Sequence, residues 1–427
     1  MAGFSKLTIV LSTCVVIGGA ILAIHFGRLL APATSGNQAA SQVAAAPSPR
    51  APQTASTSAT KPAPVEIHPG MLKPIAADAA WPVFHGDRAL TGRAAGKLGR
   101  SFKQAWRFKT GGAVETSPVV ADGKVFVGSD GEHFYAIDLV SGKRIWGVNI
   151  GQNIRSTACY VDGVVYFGSD DSAVYALDAR DGSRKWRYET QGRITGAINF
   201  LPPGDGKKLR ILAGSNDFQM YCIDAATGQE EWIYAIANYI NGSPAVSGKN
   251  VIFGGCDAFL HVVDGDSGQS VRKIDAKAWV AGSAAIDGGT AYLGNHENGF
   301  FAIDLEKGLV AWSSDVSAQP IISTPAVSAD RVVFGSGDER IYCLSRKDGK
   351  KLWEFDTRGG VDGSPVICDG KVVIGSSSGV LYVLSLEDGK VIWSHRIGKP
   401  ISSSPAVVDG RIIVGCNDGY VYAFEEE

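Results

Sequence analysis

No two cysteines of this chain are adjacent, and none follow a Cys-x-x-Cys or Cys-x-x-Cys-His spacing. That excludes the common signatures of zinc ribbons, thioredoxin chemistry and c-type haem attachment. A surplus of one charge is missing too: 41 Lys and Arg stand against 43 Asp and Glu, a net charge of −2. No global basic field is available to hold nucleic acid. What is present instead is 53 glycines, nine tryptophans and 45% apolar residues in a chain of 427. Such a composition buries a core rather than staying disordered. The length suffices for one large domain or two ordinary ones.

Residues 7–24 form an uncharged apolar run between Lys6 and Arg28. As a helix, at about 1.5 Å per residue, the run spans roughly 27 Å, close to the hydrocarbon thickness of a bilayer. It reads as a signal-anchor transmembrane helix, with residues 1–30 comprising the cytoplasmic N-terminus and that helix. The other reading is a cleaved signal peptide with Ala31 and Ala33 at the −3 and −1 positions, although the run exceeds the usual h-region of about 7–15 residues. Leu11, Ser12, Thr13 and Cys14 have the outline of a lipobox, but Thr precedes the Cys and the apolar run continues past it. Either reading puts the remainder outside the cytoplasm, as a single-pass membrane protein or a secreted one; Arg28 weakens the charge argument for orientation. Residues 31–79 are rich in Ala, Pro, Ser and Thr. They cannot bury a core and read as an extended linker.

Residues 80–427 are organised by a repeat. Asp138, Gly142 and Trp146 recur as Asp178, Gly182 and Trp186, then Asp224, Gly228 and Trp232, and Asp304, Gly308 and Trp312. At Asp264 and Gly268 the Trp position holds Arg272, and at Gly349–Trp353 and Gly389–Trp393 the leading Asp is Ser345 or Ser385. The steps between units are 40, 46, 40, 40, 41 and 40 residues. A fixed period of this size marks a repeat architecture. In the second unit, strands are predicted over 156–161, 164–168, 173–178 and 183–188, with Asp162 and Gly163 as a two-residue hairpin turn. About 40 residues per four-stranded unit is a propeller blade. Trp106 has no inner strands before it, and residues 403–425 supply three strands with no outer one. The two ends are therefore expected to share a blade, closing an all-β, eight-bladed β-propeller and removing its open sheet edges.

Tyr-Ala-Leu-Asp-x3-Gly-x3-Trp at residues 175–186, and the Ser-Pro strand ending in Asp-Gly at 364–370, resemble the quinoprotein (PQQ-like) propeller repeat. The resemblance covers about 106–425 and is most similar to the propellers of the outer-membrane protein assembly machinery. It implies that Trp106, Trp146, Trp186, Trp232, Trp312, Trp353 and Trp393 dock blade against blade, and that Arg272 marks a looser or salt-bridged joint. The same family includes dehydrogenases that hold a quinone (PQQ) and a calcium ion, usually over a vicinal disulfide and within long insertions. Here no Cys-Cys exists and only residues 202–208 form a sizeable insertion, so neither cofactor is expected and the chain is not expected to be an enzyme.

Candidate binding residues lie where each outer strand returns to the next inner strand. One ring holds Glu115, Arg155, Thr195, Asn241, Ala281, Ile322, Asp362 and Ser402; a second includes Asn153, Arg193, Tyr239, Trp279 and Pro400. Trp279 falls outside the repeat positions. It is either an anchor for a partner or a plug for its own loop. Arg155 and Arg193 either hold an acidic partner or are solvated. Glu115 and Asp362 are placed to serve a metal, but eight ring positions include some carboxylates by chance. Asp264, Asp266 and Gly268 lack the distal Glu of a calcium loop and read as a turn. His296 and Cys256 occupy equivalent turns, and the six propeller cysteines fall in strand registers as buried thiols. The expected function is a membrane-tethered, extracytoplasmic, monomeric scaffold that binds other envelope or membrane proteins. The alternatives are a PQQ-dependent oxidoreductase and a sensor of a small ligand or glycan.

Overall fold

The computed structural model describes residues 66–67, 80–204 and 208–427. The apolar run 7–24, nearly all of the linker, and residues 205–207 of the insertion lie outside the described residues. Among the described residues no helix is long and apolar enough to cross a membrane.

Each repeat becomes one antiparallel sheet, and eight sheets form, with inner strands meeting around an axis from the first blade to the last and back to the first. Blade 1 consists of Val119–Ala121, Lys124–Gly128, His133–Asp138 and Arg144–Asn149, in order from the axis outward. The second unit gives Cys159–Val161, Val164–Ser169, Ala173–Asp178 and Arg184–Glu189. Its inner strand is shorter than predicted because Ser156 and Thr157 hydrogen-bond to neighbouring blades. Blade 8 joins Ala406–Val408, Arg411–Cys416 and Tyr420–Glu426 to Phe102–Lys109 from the other end of the propeller. Glu66–Ile67, within the stretch read as linker, adds a fifth strand there, with Ile67 opposite Trp106 and Glu66 opposite Arg107.

Local chemistry explains the regularity. Asp122 and Gly123, with φ of 49° and 68°, make a left-handed two-residue hairpin turn, and Asp162, Asp369 and Asp409 with their glycines repeat it. Asp138 opens the next turn, accepting hydrogen bonds from Ser141 N and Oγ at 2.7 and 2.6 Å. Gly142 closes that turn at φ 67°. A Cβ at Gly142 would fall 2.6 Å from the Trp106 ring, so the docking tryptophan requires glycine beneath it. The Trp106 indole also donates to Leu139 O at 3.1 Å, and Trp146, Trp186, Trp232, Trp312 and Trp353 each donate to the next blade in the same way. Where Arg272 replaces Trp, its side chain lies on Gly308 in the indole's place. Trp393 docks instead on Phe102 and Phe424, with ring centroids 5.2 and 5.4 Å away.

Two further repeating devices hold the blades. Near the axis, a backbone N–H of one blade donates to the Ser or Thr hydroxyl of the next: Ser404 to Ser117, Ser117 to Thr157, Ala197 to Ser243, Ser243 to Ser283, Thr324 to Ser364, and Ser364 to Ser404. Beside this collar, a Cβ on Gly242 would lie 2.4 Å from Gly282 O, so the convergence of the blades demands glycine. Farther out, a tyrosine hydroxyl clamps the Asp four residues before it, as in Tyr175–Asp171, Tyr221–Asp217, Tyr342–Asp338 and Tyr422–Asp418. In blade 4, His261 takes the tyrosine's position and meets Asp257 at 3.1 Å.

Residues 81–98 form a strap around the inner strands. Trp81 bridges Val120; Pro82 O accepts from Tyr160 N, and Arg88 O from Asn199 Nδ2 and Val246 N. Ala89, Thr91 and Gly92 then accept from Ile286, Val327 and Ile367, and Ala94 N donates back to Ile367 O, so blades 1 to 7 are tied in turn. His85, 1% exposed, stands between two carbonyl oxygens, Leu90 O at 2.8 Å from Nδ1 and Pro365 O at 2.7 Å from Nε2. Burial holds its pKa below the ordinary histidine value, against the raising effect of those carbonyls.

Candidate functional site

The eight residues of the first ring line one axial well of about 170 Å³, together with the Ser and Thr collar and Phe84 of the strap. The sequence reading thus places Glu115, Arg155, Asn241 and Asp362 on a common wall. They converge because each precedes an inner strand by the same distance and the inner strands meet at the axis. Arg193, Tyr239 and Trp279 do not line the well. They sit in the same inter-blade segments two residues earlier, which places them around its mouth.

Arg155 is not a free cation for an acidic partner. Its Nε lies 3.2 Å from Asp130 and 3.6 Å from Glu115, and its Nη1 lies 3.7 Å from Asp170. Burial lifts the Glu115 carboxyl above its usual range, Asp130 adds to the lift, and Arg155 opposes it. Burial likewise raises Asp170, against the pull of Arg155 and Arg193. Asp362 is raised by desolvation. Four carboxylates, Glu115, Asp130, Asp170 and Asp362, thus stand against two guanidiniums, Arg155 and Arg193, at the mouth.

The rim beside it is aromatic. Trp279 is 44% exposed and Tyr239 41%. Trp279 is not a plug buried in its own loop: its ring stands out with His296 at 6.2 Å, while its carbonyl accepts from His296 N. Tyr239 lies 5.2 Å from Phe218, itself 40% exposed. Phe218 was not legible as a rim residue, because the hairpin that carries it varies between blades; its φ of 75° turns an apolar side chain outward.

The remaining candidates resolve into structure. The Asp264 carboxylate accepts from Asp266 N, Ser267 N and Ser267 Oγ and pairs with Lys249 at 2.8 Å, which is a turn. Asp257 is taken by His261 and Lys273. Among the described residues no three His, Cys, Asp or Glu side chains are grouped to hold a metal ion. Cys159, Cys222, Cys256, Cys343, Cys368 and Cys416 are free and buried, and burial pushes the Cys222, Cys343 and Cys416 thiols up to about 12.

Comparison with known proteins agrees with this architecture. Over 101 residues the chain is 28% identical to the outer membrane protein assembly factor BamB of Nitrosomonas eutropha, a stretch that is 24% of each chain. The matched stretch thus spans about a quarter of that relative's length. The solved structure of BamB from Moraxella catarrhalis superposes with a TM-score of 0.64 at 20% identity, covering 77% of this chain and 98% of that one. A europium-containing methanol dehydrogenase superposes as well, with a TM-score of 0.68 at 13% identity over 81% of this chain and 98% of that one. At these identities the structural likeness is one of fold. The family model described as outer membrane protein assembly factor BamB matches residues 96–205, 256–362 and 337–427. Those segments cover most of the propeller, and the chain belongs to the family of the outer membrane protein assembly factor BamB.

Proposed function

We propose that this chain is a non-enzymatic docking scaffold that serves the assembly of outer-membrane proteins. It works outside the cytoplasm, held at a membrane by residues 7–24 and set off from it by the linker. Its partners are other envelope proteins, which it meets through the rim of the axial well. Family membership supports the process. The observation that carries the docking face is the exposed aromatic group Phe218, Tyr239 and Trp279, since exposed aromatics beside a concavity are typical interface anchors. The acidic mouth next to them favours a partner surface that brings basic side chains.

Quinone chemistry has no part in this reading. Glu115 already faces Arg155, which sets that carboxylate in an ion pair within the protein.

Cells whose single copy carries Tyr239→Ala with Trp279→Ala provide the test. The amount of folded β-barrel protein in the outer membrane, read by heat-modifiable mobility on gels, should fall several-fold. Tyr239→Phe with Trp279→Phe should restore most of it. Wild-type levels in the alanine variant, at equal protein abundance, would remove the rim from the proposal.

A further inference from the structure

An edge strand exposes unpaired backbone groups, and natural sheets protect such edges with charge, bulges or a covering segment. Seven outer strands of this propeller carry charged residues: Phe102–Lys109, Arg144–Asn149, Arg184–Glu189, Glu230–Ala235, Ser270–Asp275, Lys351–Asp356 and Val391–Arg396. The outer strand of blade 5, Leu309–Ser314, has the sequence LVAWSS and carries none. Leu309 is 63% exposed and Val310 39%, and Ala311 is exposed beside them. The register shift opposite Ala302 and Ile303 places Ala311 as a bulge, a feature every outer strand shares, so it does not set blade 5 apart. Trp312–Ser314 beyond it pairs regularly with Phe300–Ala302 on its inner side.

One outer edge of the propeller already carries an added strand. On blade 8, Glu66–Ile67 pairs with Trp106 and Arg107, just past the bulge. The repeat places Trp312 and Ser313 at the equivalent positions of blade 5. Blade 5 is also the blade entered by the loop that carries Trp279, between Asp275 and Ala285.

We propose that the outer edge of blade 5 binds an extended, uncharged segment of a partner chain, one in which apolar residues alternate with small polar ones, by adding it as a fifth strand. Main-chain hydrogen bonds to Trp312–Ser314 hold the segment, and Leu309 and Val310 cover its apolar side chains. The absence of charge selects the occupant, because a low-charge strand meets no unpaired charge to desolvate along this edge. The other outer strands would force that cost on it; the charged edge of blade 8 takes a segment that brings a charge of its own, with Glu66 opposite Arg107. This surface lies on the flank of the propeller, and its occupancy is independent of docking at the rim.

The test uses the full chain and a fluorescein-labelled synthetic peptide of alternating Val and Thr. Saturable binding should be seen by anisotropy, with slowed amide exchange confined to 309–314. Ser313→Lys should weaken it at least tenfold, whereas Ser394→Lys, at the equivalent exposed position of blade 7, should leave it unchanged. Both substitutions are on the surface, and matched melting temperatures would confirm that folding is intact. No saturable binding, an equal loss in the two variants, or exchange protection on a different blade would each overturn the proposal.

Discussion

The positions that decide this molecule at the residue scale are those where a single side chain stands at a joint. Asp362 is one, with its carboxyl raised by desolvation in the well. A raised carboxyl means that the folded state holds the proton more tightly than the unfolded chain does. Its contribution is therefore most favourable at low pH and declines as pH rises from the ordinary carboxylate range through the raised value. Asp362→Asn should accordingly raise the melting temperature at about pH 7 and leave it unchanged near pH 3, where the wild-type carboxyl is also neutral. Thermal melts across that range check it, and a lower melting temperature at neutral pH would contradict the assignment. Some of this scale was legible beforehand. The strict spacing announces the tryptophans as blade-docking residues and the glycines as turn closers, but not that an indole lies on the turn glycine of the next blade, as Trp106 does on Gly142. The Ser and Thr collar was not legible as a bonded ring. Ser364 and Ser404 look like ordinary residues before proline, and only the convergence of the inner strands brings the N–H of one to the hydroxyl of the other at 2.8 Å. The three carboxylates around Arg155 were hidden for the same reason, since Asp130 and Asp170 come from hairpins outside the ring pattern.

At the scale of elements, the blades could be read and the strap could not. Strands declare themselves by alternation and by their Asp-Gly turns. Residues 81–98 have no such period, because the segment passes from one inner strand to the next and its buried side chains, among them Trp81, Val83, Leu90 and Leu98, fall at irregular spacing. His85 is the point at which the strap is fixed. His85→Ala would remove the one N–H that a neutral imidazole donates to either Leu90 O or Pro365 O, and leave that carbonyl buried without its donor. An unsatisfied buried polar group costs about 1–3 kcal/mol, and the vacated volume adds to it. A loss of about 2–4 kcal/mol is expected in urea unfolding of the full chain. A loss indistinguishable from zero would mean that the strap is held by its other contacts and His85 is incidental. The blade 5 edge also belongs to this scale. Each outer strand reads alike by pattern, and the lack of charge in Leu309–Ser314 gains meaning only when that strand is known to be outermost.

The whole molecule follows from closure. Tyr420–Glu426 pairs with Phe102–Lys109, so the ring leaves no inner strand unpaired and brings eight equivalent loops to one mouth. That mouth combines an acidic well with an exposed aromatic rim, an arrangement suited to docking a protein. The most direct measurement is photo-crosslinking in living cells from a photoreactive residue at position 279, with mass spectrometry of the adducts. Adducts with proteins of the outer-membrane assembly apparatus are expected from 279, and their yield should fall several-fold when Tyr239→Ala is added. Adducts absent at 279 but present from the strap side of the ring, at positions 202 or 203, would contradict the docking face and place the partner on the opposite end of the propeller.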